Sequence, residues 1–324
     1  MHPIRFACAF FAALYAGATP SICAAQAYPG KPVRVITPWP TGGLTDVVGR
    51  LIFQKISETT GQQFVVDNRP GASGTIGADI VAKSKPDGYI LMVHSTTHVG
   101  NPHIYKQLPY DTLKDFIGVT PLSGQVGILV VHPSLPVKSV REFIALAKSR
   151  PDQILYGTSG SGSFVHLTVA QFDAMAGTRM VHVPYKGADA AGVSLVAGET
   201  QAMIAPMPVV KPLLAGNRVR ALAVTSDTRI KQLPDIPTLA EAGVPGYELT
   251  AWVGAFVPAG THRAIVDRLN AEIKKALDHP DVLARYNALA LDPMFMTPGQ
   301  FALRIKSDYD KYAKLIALTG AKVD

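Results

Sequence analysis

Short runs of β-branched and aliphatic residues alternate along this chain with segments whose apolar residues recur at helical spacing. The run Val33–Thr37 is predicted to be a buried strand. Segment 46–58 is predicted to be a helix, because one helical face collects its apolar residues Val47, Leu51, Ile52 and Ile56. Strands and helices that alternate in this way are typical of βα units in a largely parallel sheet. We therefore expect an α/β protein.

The alternation continues to residue 257 and then gives way to helices. Further strands are predicted at 64–66, 90–93, 128–131, 180–183, 203–205, 220–225 and 249–257, and further helices at 76–83, 140–148, 164–175, 209–215, 263–277 and 299–318. Two βα clusters followed by a helical tail predict two lobes, with the tail returning to the first. We expect 28–127 with 248–324 to form lobe 1 and 128–247 to form lobe 2, with crossings near Gly127 and Glu248.

The first 27 residues have the features of a cleaved signal peptide. Arg5 provides the positive start, residues 6–18 are apolar or small, and Ala25-Gln26-Ala27 fits the small-x-small cleavage pattern. A membrane anchor would need about 20 apolar residues, which this stretch lacks. A lipoprotein is disfavoured because Ile22, rather than a small residue, precedes Cys23. We expect export to the periplasm and a mature chain that begins near Tyr28.

Cleavage would remove both cysteines, Cys8 and Cys23, so the mature chain would have no disulfide, no catalytic thiolate and no cysteine-bound metal. Loss of Arg5 would reduce Lys and Arg from 31 to 30 against 24 Asp and Glu, a net charge of +6. These charges are dispersed, without a basic run or an aromatic-interleaved basic stripe, which argues against nucleic-acid binding. A moderately positive surface is compatible with an anionic solute.

The sequence lacks the common signatures of catalysis. The segment Gly157-Thr158-Ser159-Gly160-Ser161 fails the nucleophile-elbow pattern, and Val165 replaces the third glycine of a dinucleotide fingerprint. His94 and His98 have the spacing of a helical zinc pair, but they fall in a Thr-rich turn without the accompanying Glu. We therefore expect both histidines at the surface or at a cleft rim, and we expect neither an enzyme nor a metal or other cofactor.

Three glycine-containing loops lie between strand-like and helical segments, at 40–46, 71–75 and 159–163, the last of them after Leu155-Tyr156. Such loops let the backbone approach a ligand, and N–H groups at a helix N-terminus attract anions. Ligands of open α/β sheets bind at the carboxyl ends of the strands, where these loops would lie. Any one of them could equally be a tight turn that caps a helix. Three loops divided between two lobes favour a shared cleft.

A set of motifs spread over the mature chain resembles the Bug family, the extracytoplasmic receptors of tripartite tricarboxylate transporters. The resemblance rests on Pro40-x-Gly42-Gly43-x-x-Asp46, Asp67-Asn68-Arg69-Pro70-Gly71-Ala72-x-Gly74, Pro86-Asp87-Gly88-Tyr89, His182-Val183-Pro184-Tyr185-Lys186-Gly187 and Glu241-Ala242-Gly243-x-Pro245-Gly246-Tyr247-Glu248, with shorter matches at 101–102, 108–111 and 220–225. It implies a two-lobed periplasmic-binding-protein fold of type II-like form, with the ligand cleft between the lobes. It also implies separate membrane subunits as partners, and we expect the receptor itself to be a monomer.

The resemblance further implies that backbone amides and ordered waters hold a ligand carboxylate. Carried onto this chain, the candidate ligand-binding residues are Pro40, Gly42, Gly43, Asp46, Ala72, Ser73, Ser95 and Thr96 in lobe 1 and Ser159, Gly160, Ser163 and His166 in lobe 2. Asp46 is either a ligand contact or only a helix cap. Tyr185 and Lys186 face the ligand or stabilise the fold, and Trp252 is a further candidate for the cleft wall.

One departure from the family pattern bears on the ligand. Many relatives have an Asp after the strand that corresponds to 203–205, where an acid could meet a ligand amine. This chain has Ala205-Pro206-Met207 instead. A di-, tri- or aromatic carboxylate is therefore favoured over an amino acid.

Two functions remain compatible with one cleft and one docking face. The favoured hypothesis is capture of a small carboxylate and its delivery to a tripartite tricarboxylate transporter. The alternative is a periplasmic sensor that presents its ligand to a signalling kinase. An enzyme on the same scaffold is disfavoured, because no nucleophile and base stand at a catalytic spacing.

Overall fold

The computed structural model describes residues 28–161, 163–185 and 187–319. The expected signal peptide, 1–27, lies outside these residues, as do Gly162 and Lys186. No helix in the described part of the chain combines the length and apolar character that a bilayer crossing requires.

Ten strands and eleven helices alternate through the described residues, in addition to a 3-10 turn at Ala72–Gly74. The strands are β1 Val33–Thr37, β2 Phe64–Asn68, β3 Ile90–Ser95, β4 Phe116–Val131, β5 Leu155–Thr158, β6 Val181–Pro184, β7 Ala202–Pro206, β8 Arg220–Val224, β9 Thr250–Pro258 and β10 Asp292–Pro293. The helices are α1 Leu44–Thr60, α2 Thr75–Ala82, α3 Thr97–Ile104, α4 Val140–Ser149, α5 Phe164–Ala176, α6 Ala188–Ala197, α7 Met207–Ala215, α8 Leu239–Ala242, α9 Arg263–Leu277, α10 Pro280–Ala288 and α11 Pro298–Thr319.

The strands form two sheets that share β4. In lobe 1 the order is β2-β1-β3-β9-β4, and in lobe 2 the path continues through β7, β5 and β6, with β8 on the other side of β4. Strands β1, β2 and β3 are parallel, as are β5, β6 and β7. Buried residues of α1, among them Ile52 and Phe53, pack with Leu269 and Ile273 of α9 in one core of lobe 1. The prediction of an α/β fold with two lobes is confirmed.

Strand β4 is much longer than the predicted 128–131. Its first part, up to Val126, pairs with β9, and its last part, from Gly127, pairs with β7 and β8. Gly118 and Pro121 stand in the first part, next to two register shifts that bulge the strand. Glycine and proline are depleted in strands except at such bulges, so the residue pattern did not predict this half of β4.

The C-terminal helix α11 contacts both lobes, packing on α3 and β4 and also on α5. Trp252 Nε1 donates to the Asp308 carboxylate at 2.8 Å, which fixes α11 to β9. Lys311 forms an ion pair with Glu248, and Gln171 of α5 donates to the Glu248 carbonyl at 3.3 Å. The residues directly before β9 are therefore connected to α11 by an ion pair and to α5 by a hydrogen bond.

Candidate functional site

The strand registers bring the carboxyl ends of both sets of parallel strands toward one place. Ser95, the last residue of β3, pairs with Val253 of β9, which in turn pairs with Ser123 of β4. Pro206, the last residue of β7, pairs with Gly127 of β4. Strands β3 and β7 run in opposite directions, so their carboxyl ends face each other across four residues of β4, roughly 13 Å. The space between these ends is the candidate cleft.

The loops that carry the predicted ligand-binding residues stand at these strand ends. They follow β1, β2 and β3 in lobe 1 and β5 in lobe 2. The candidate residues that are exposed or half-buried are Pro40, Gly42, Gly43, Ala72, Ser73, Ser95, Ser159, Gly160 and Ser163. The three buried candidates are Asp46, Thr96 and His166. The first group is accessible to a ligand, and the second lies beneath it.

Within the described residues, five of the six helices that begin at this edge have no side-chain cap, and the sixth, α5, is capped by Ser163. Helices α1, α2, α3, α6 and α7 begin shortly after strand ends, and among the described residues no side chain caps their N-cap positions, Gly43, Gly74, Thr96, Gly187 and Pro206. Helices that begin elsewhere or after a longer loop are capped by a side chain, at Ser139, Thr238, His262 and His279. Uncapped first-turn N–H groups and positive helix ends suit an anion.

The loop before α1 uses its own glycine amides internally. The Gly42 N–H donates to Asp46 Oδ2 at 2.9 Å, and the Gly43 N–H reaches the Pro40 carbonyl at 3.3 Å. Asp46 is 1% exposed and accepts further hydrogen bonds from Arg50 and Asn68. The N–H groups open to a ligand are therefore those of the first turn of α1, residues 44–46. The Asp46 carboxylate instead accepts a hydrogen bond from within the loop.

The loop before α2 is strained. Gly71 to Gly74 all have positive φ, and for Ala72 and Ser73 the values are 46° and 53°. A left-handed conformation costs a non-glycine residue about 1–2 kcal/mol, and such strain clusters at ligand clamps. Asn101 Nδ2 donates to the Ser73 carbonyl at 3.1 Å, and a Cβ at position 74 would lie 2.4 Å from His94 Nε2. The buried side chains of Asn101 and His94 thus support the strained turn from below.

In lobe 2 the loop after β5 is organised by short hydrogen bonds. Gly160 has φ +114°, its N–H donates to Thr158 Oγ1 at 3.2 Å, and its carbonyl accepts from Ser163 Oγ at 2.7 Å. Ser163 also caps α5 by accepting the His166 N–H. Thr158 Oγ1 lies 2.6 Å from His182 Nε2, so His182 supports the loop from β6.

Two histidines stack beneath this loop. The rings of His166 and His182 are 3.9 Å apart and nearly parallel, at 8°. Burial, with a smaller effect of His182, lowers the pKa of His166 to about 4. Burial also lowers the pKa of His182. Both rings are therefore neutral at neutral pH, and neither adds a positive charge to the cleft there.

The predicted surface location of His94 and His98 is wrong. Both are fully buried, His94 near the end of β3 and His98 in α3, a helix that the sequence pattern missed. Their rings are 5.2 Å apart, and His98 packs among Tyr110, Phe116 and Phe256. Gly100 and Pro102 interrupt the helical pattern of α3, which explains the misplacement. Within the described residues no group of three metal-ligating side chains occurs.

Three further candidates were Trp252, Tyr185 and Lys186, and the last lies outside the described residues. Trp252 is 1% exposed and is engaged with Asp308. Tyr185 is half-buried and packs against the lobe 2 core, whereas Lys186 lies outside the described residues. Sequence reasoning missed Arg50 and Asn68, although the i, i+4 spacing of Asp46 and Arg50 could have indicated their pairing.

Comparison with known proteins gives a consistent result. The family model described as "Tripartite tricarboxylate transporter family receptor" matches residues 48–320. Protein BugT of Bordetella pertussis is 35% identical over 302 residues, which is 92% of each chain. The structure of R. palustris Rpa4515 with adipate has a TM-score of 0.76 and 35% identity, covering 90% of this chain and 98% of that one. MatC of Rhodopseudomonas palustris with bound malate has a TM-score of 0.72 and 30% identity, covering 89% and 100%.

Proposed function

This chain belongs to the receptor family of tripartite tricarboxylate transporters, and we propose that it captures a small carboxylate in the periplasm and delivers it to the membrane subunits of such a transporter. The observation that carries the proposal is the set of uncapped helix N-termini that begin at the edge where the two lobes face each other. A buried carboxylate needs several hydrogen bonds to offset its lost hydration, and these N–H groups supply them.

The ligand class follows from what the relatives bind and from the apolar end of β7. Adipate and malate, the ligands in the two related structures, are dicarboxylates. Ala205, Pro206 and Met207 are buried and carry no acid that could meet an amine. We therefore propose a di-, tri- or aromatic carboxylate as the ligand, with Pro40, Gly42 and Gly43 beside it in lobe 1, and Ala72, Ser73, Ser95, Ser159, Gly160 and Ser163 completing the contact surface.

Binding of an acid without turnover is the first expected result. Native mass spectrometry of the freshly purified protein should show a retained acid, and calorimetry with adipate, malate, citrate and benzoate should give saturable binding by at least one. Dimethyl adipate has the same chain without the charges, so it should bind at least tenfold more weakly than adipate if adipate is the acid that binds. A retained molecule without an acidic group, or conversion of the bound acid during incubation, would contradict the proposal.

Closure of the lobes on the ligand is the second expected result. We propose lobes of residues 28–127 with 248–324 and of residues 128–247, joined where β4 and β9 cross near Gly127 and Glu248. Strand β10 pairs with Ser123 and Gly124 and adds a third segment at the junction. Ligand contacts to both lobes would stabilise the closed state. Small-angle scattering should give a smaller radius of gyration at saturation, and an unchanged profile would argue against closure.

A further inference from the structure

Three side chains form a brace around the loop before α1: Asp46, Arg50 and Asn68. Arg50 Nε lies 2.9 and 3.1 Å from the two Asp46 carboxylate oxygens, and Arg50 also donates to Asn68 Oδ1 at 2.6 Å. Asn68 Nδ2 donates to Asp46 Oδ1 at 2.8 Å and to the Trp39 carbonyl at 2.9 Å. The brace therefore connects three parts of lobe 1: the end of β2, the second turn of α1 and the loop itself.

The brace touches the loop at both of its ends. Asn68 holds the carbonyl of Trp39, directly before Pro40, and Asp46 holds the N–H of Gly42. Gly42 has φ +86° and is exposed, so its position depends on these hydrogen bonds rather than on side-chain packing. The same bonds hold the loop that leads into the first turn of α1.

Charge gives the brace a second effect. Burial raises the pKa of the Asp46 carboxyl, but hydrogen bonds from Arg50, Gly42 and Asn68 and the charge of Arg50 lower it overall, so Asp46 is an anion at neutral pH. A buried anion directly beneath the first turn of α1 would repel an approaching carboxylate. Arg50 neutralises it from the outer side, where 46% of the Arg50 side chain remains exposed.

We propose that Arg50 and Asn68 are positioning residues for the ligand, acting through Asp46 to hold the Trp39–Gly43 loop and to neutralise the charge beneath it. The inference rests on the proposed function, because the ligand is taken to be a carboxylate. Asn68 needs both halves of its amide, since Nδ2 donates to two acceptors while Oδ1 accepts from Arg50. Aspartate has the same shape but would remove both donors and place a second carboxylate beside Asp46.

Arg50→Met and Asn68→Asp test the proposal, with Arg34→Met as the matched control. Arg34 donates to Asp67 at 2.7 Å, so its loss removes an arginine–aspartate pair one residue from Asn68 without touching the brace. Calorimetry with the acid that the wild type binds should show at least fivefold weaker binding for the two brace variants and an unchanged affinity for the control. Arg50→Lys keeps the charge with poorer geometry and should fall between wild type and Arg50→Met.

A spectroscopic readout separates positioning from general stability. The Gly42 amide proton, bound to an ionised Asp46, should keep its resonance from pH 7.5 to 5.0 in the wild type. In Arg50→Met the Asp46 pKa should rise, and the Gly42 resonance should then shift across this range. Normal affinity in folded Arg50→Met and Asn68→Asp overturns the proposal even if their melting temperatures fall. Weakened binding with an unmoved Gly42 resonance overturns the route through Asp46. A wild type that binds no acid refutes the proposed function instead, and the Gly42 resonance still tests the brace.

Discussion

Gly43→Val is expected to weaken carboxylate binding at least tenfold, about 1.4 kcal/mol, while leaving the protein folded. Gly43 is the N-cap of α1, with φ −69° and ψ 161°, an extended conformation that valine readily adopts. An added Cβ would find only the Pro40 carbonyl oxygen nearby, at 3.4 Å. The fold therefore has room for the added Cβ. The branched methyl groups would instead occupy the approach to the first-turn N–H groups of α1, which a ligand must reach closely.

Gly299→Val provides the matched control, because its added Cβ would meet nothing within 4 Å and it lies in the first turn of α11. Calorimetry should show normal affinity for the control and a loss for Gly43→Val, with circular dichroism confirming that both are folded. Gly160→Val should also weaken binding, but its φ of +114° adds backbone strain, so Gly43→Val is the cleaner steric probe. Normal binding by both valine variants, together with abolished binding by Lys186→Ala, would replace recognition by amides with recognition by a charge.

The local pattern of apolar residues predicted much of the fold. Helix α9 was predicted at 263–277 and is found at Arg263–Leu277, since its core face repeats at helical spacing and Asp278 follows its end. Strand β1 is found at its predicted bounds because both of its faces are covered, which makes it a continuous apolar run. Where an element carries a long apolar repeat or an unbroken apolar run, the sequence pattern is sufficient to predict its bounds.

Several short elements were not predicted. Strand β10 has only two residues, and it exists because Asp292 and Pro293 align with β4 more than 160 positions away. Helix α10 was also missed, although His279 and Pro280 mark its start as N-cap and first residue. Short strands and short helices carry too few apolar residues for a periodicity to emerge.

The candidate site also has parts that the sequence predicts and parts that it does not. Its loops could be predicted, because glycine-rich segments between a strand and a helix mark the carboxyl end of a sheet. The supports could not, since the neighbours of Asn68, Asn101 and His182 depend on the strand order. The left-handed conformation of Ala72 and Ser73 contradicts the preference of both residue types, so no local rule would have placed it. The uncapped helix ends became recognisable only once the strand directions were known.

Acidification is expected to destabilise the protein through its buried histidines. Burial lowers the pKa of His98 to about 3, and burial together with His98 lowers that of His94 well below its usual 6.5. In the unfolded chain both rings take up a proton as the pH falls below about 6.5, whereas in the folded protein they stay neutral until a much lower pH. Protonation therefore favours the unfolded state between these values. For His98 the loss between pH 7.5 and pH 4.5 should be about 2–3 kcal/mol.

His98→Phe isolates this contribution, because phenylalanine is uncharged at every pH and suits a site lined by Tyr110, Phe116 and Phe256. Urea unfolding at pH 7.5 and 4.5 should show that the variant loses about 2–3 kcal/mol less on acidification than the wild type does. Comparing the two proteins cancels the common effect of the carboxylates that also titrate in this range. An equal loss in His98→Phe and the wild type would mean that His98 becomes protonated inside the folded protein, and that its cage of aromatic rings admits a charge.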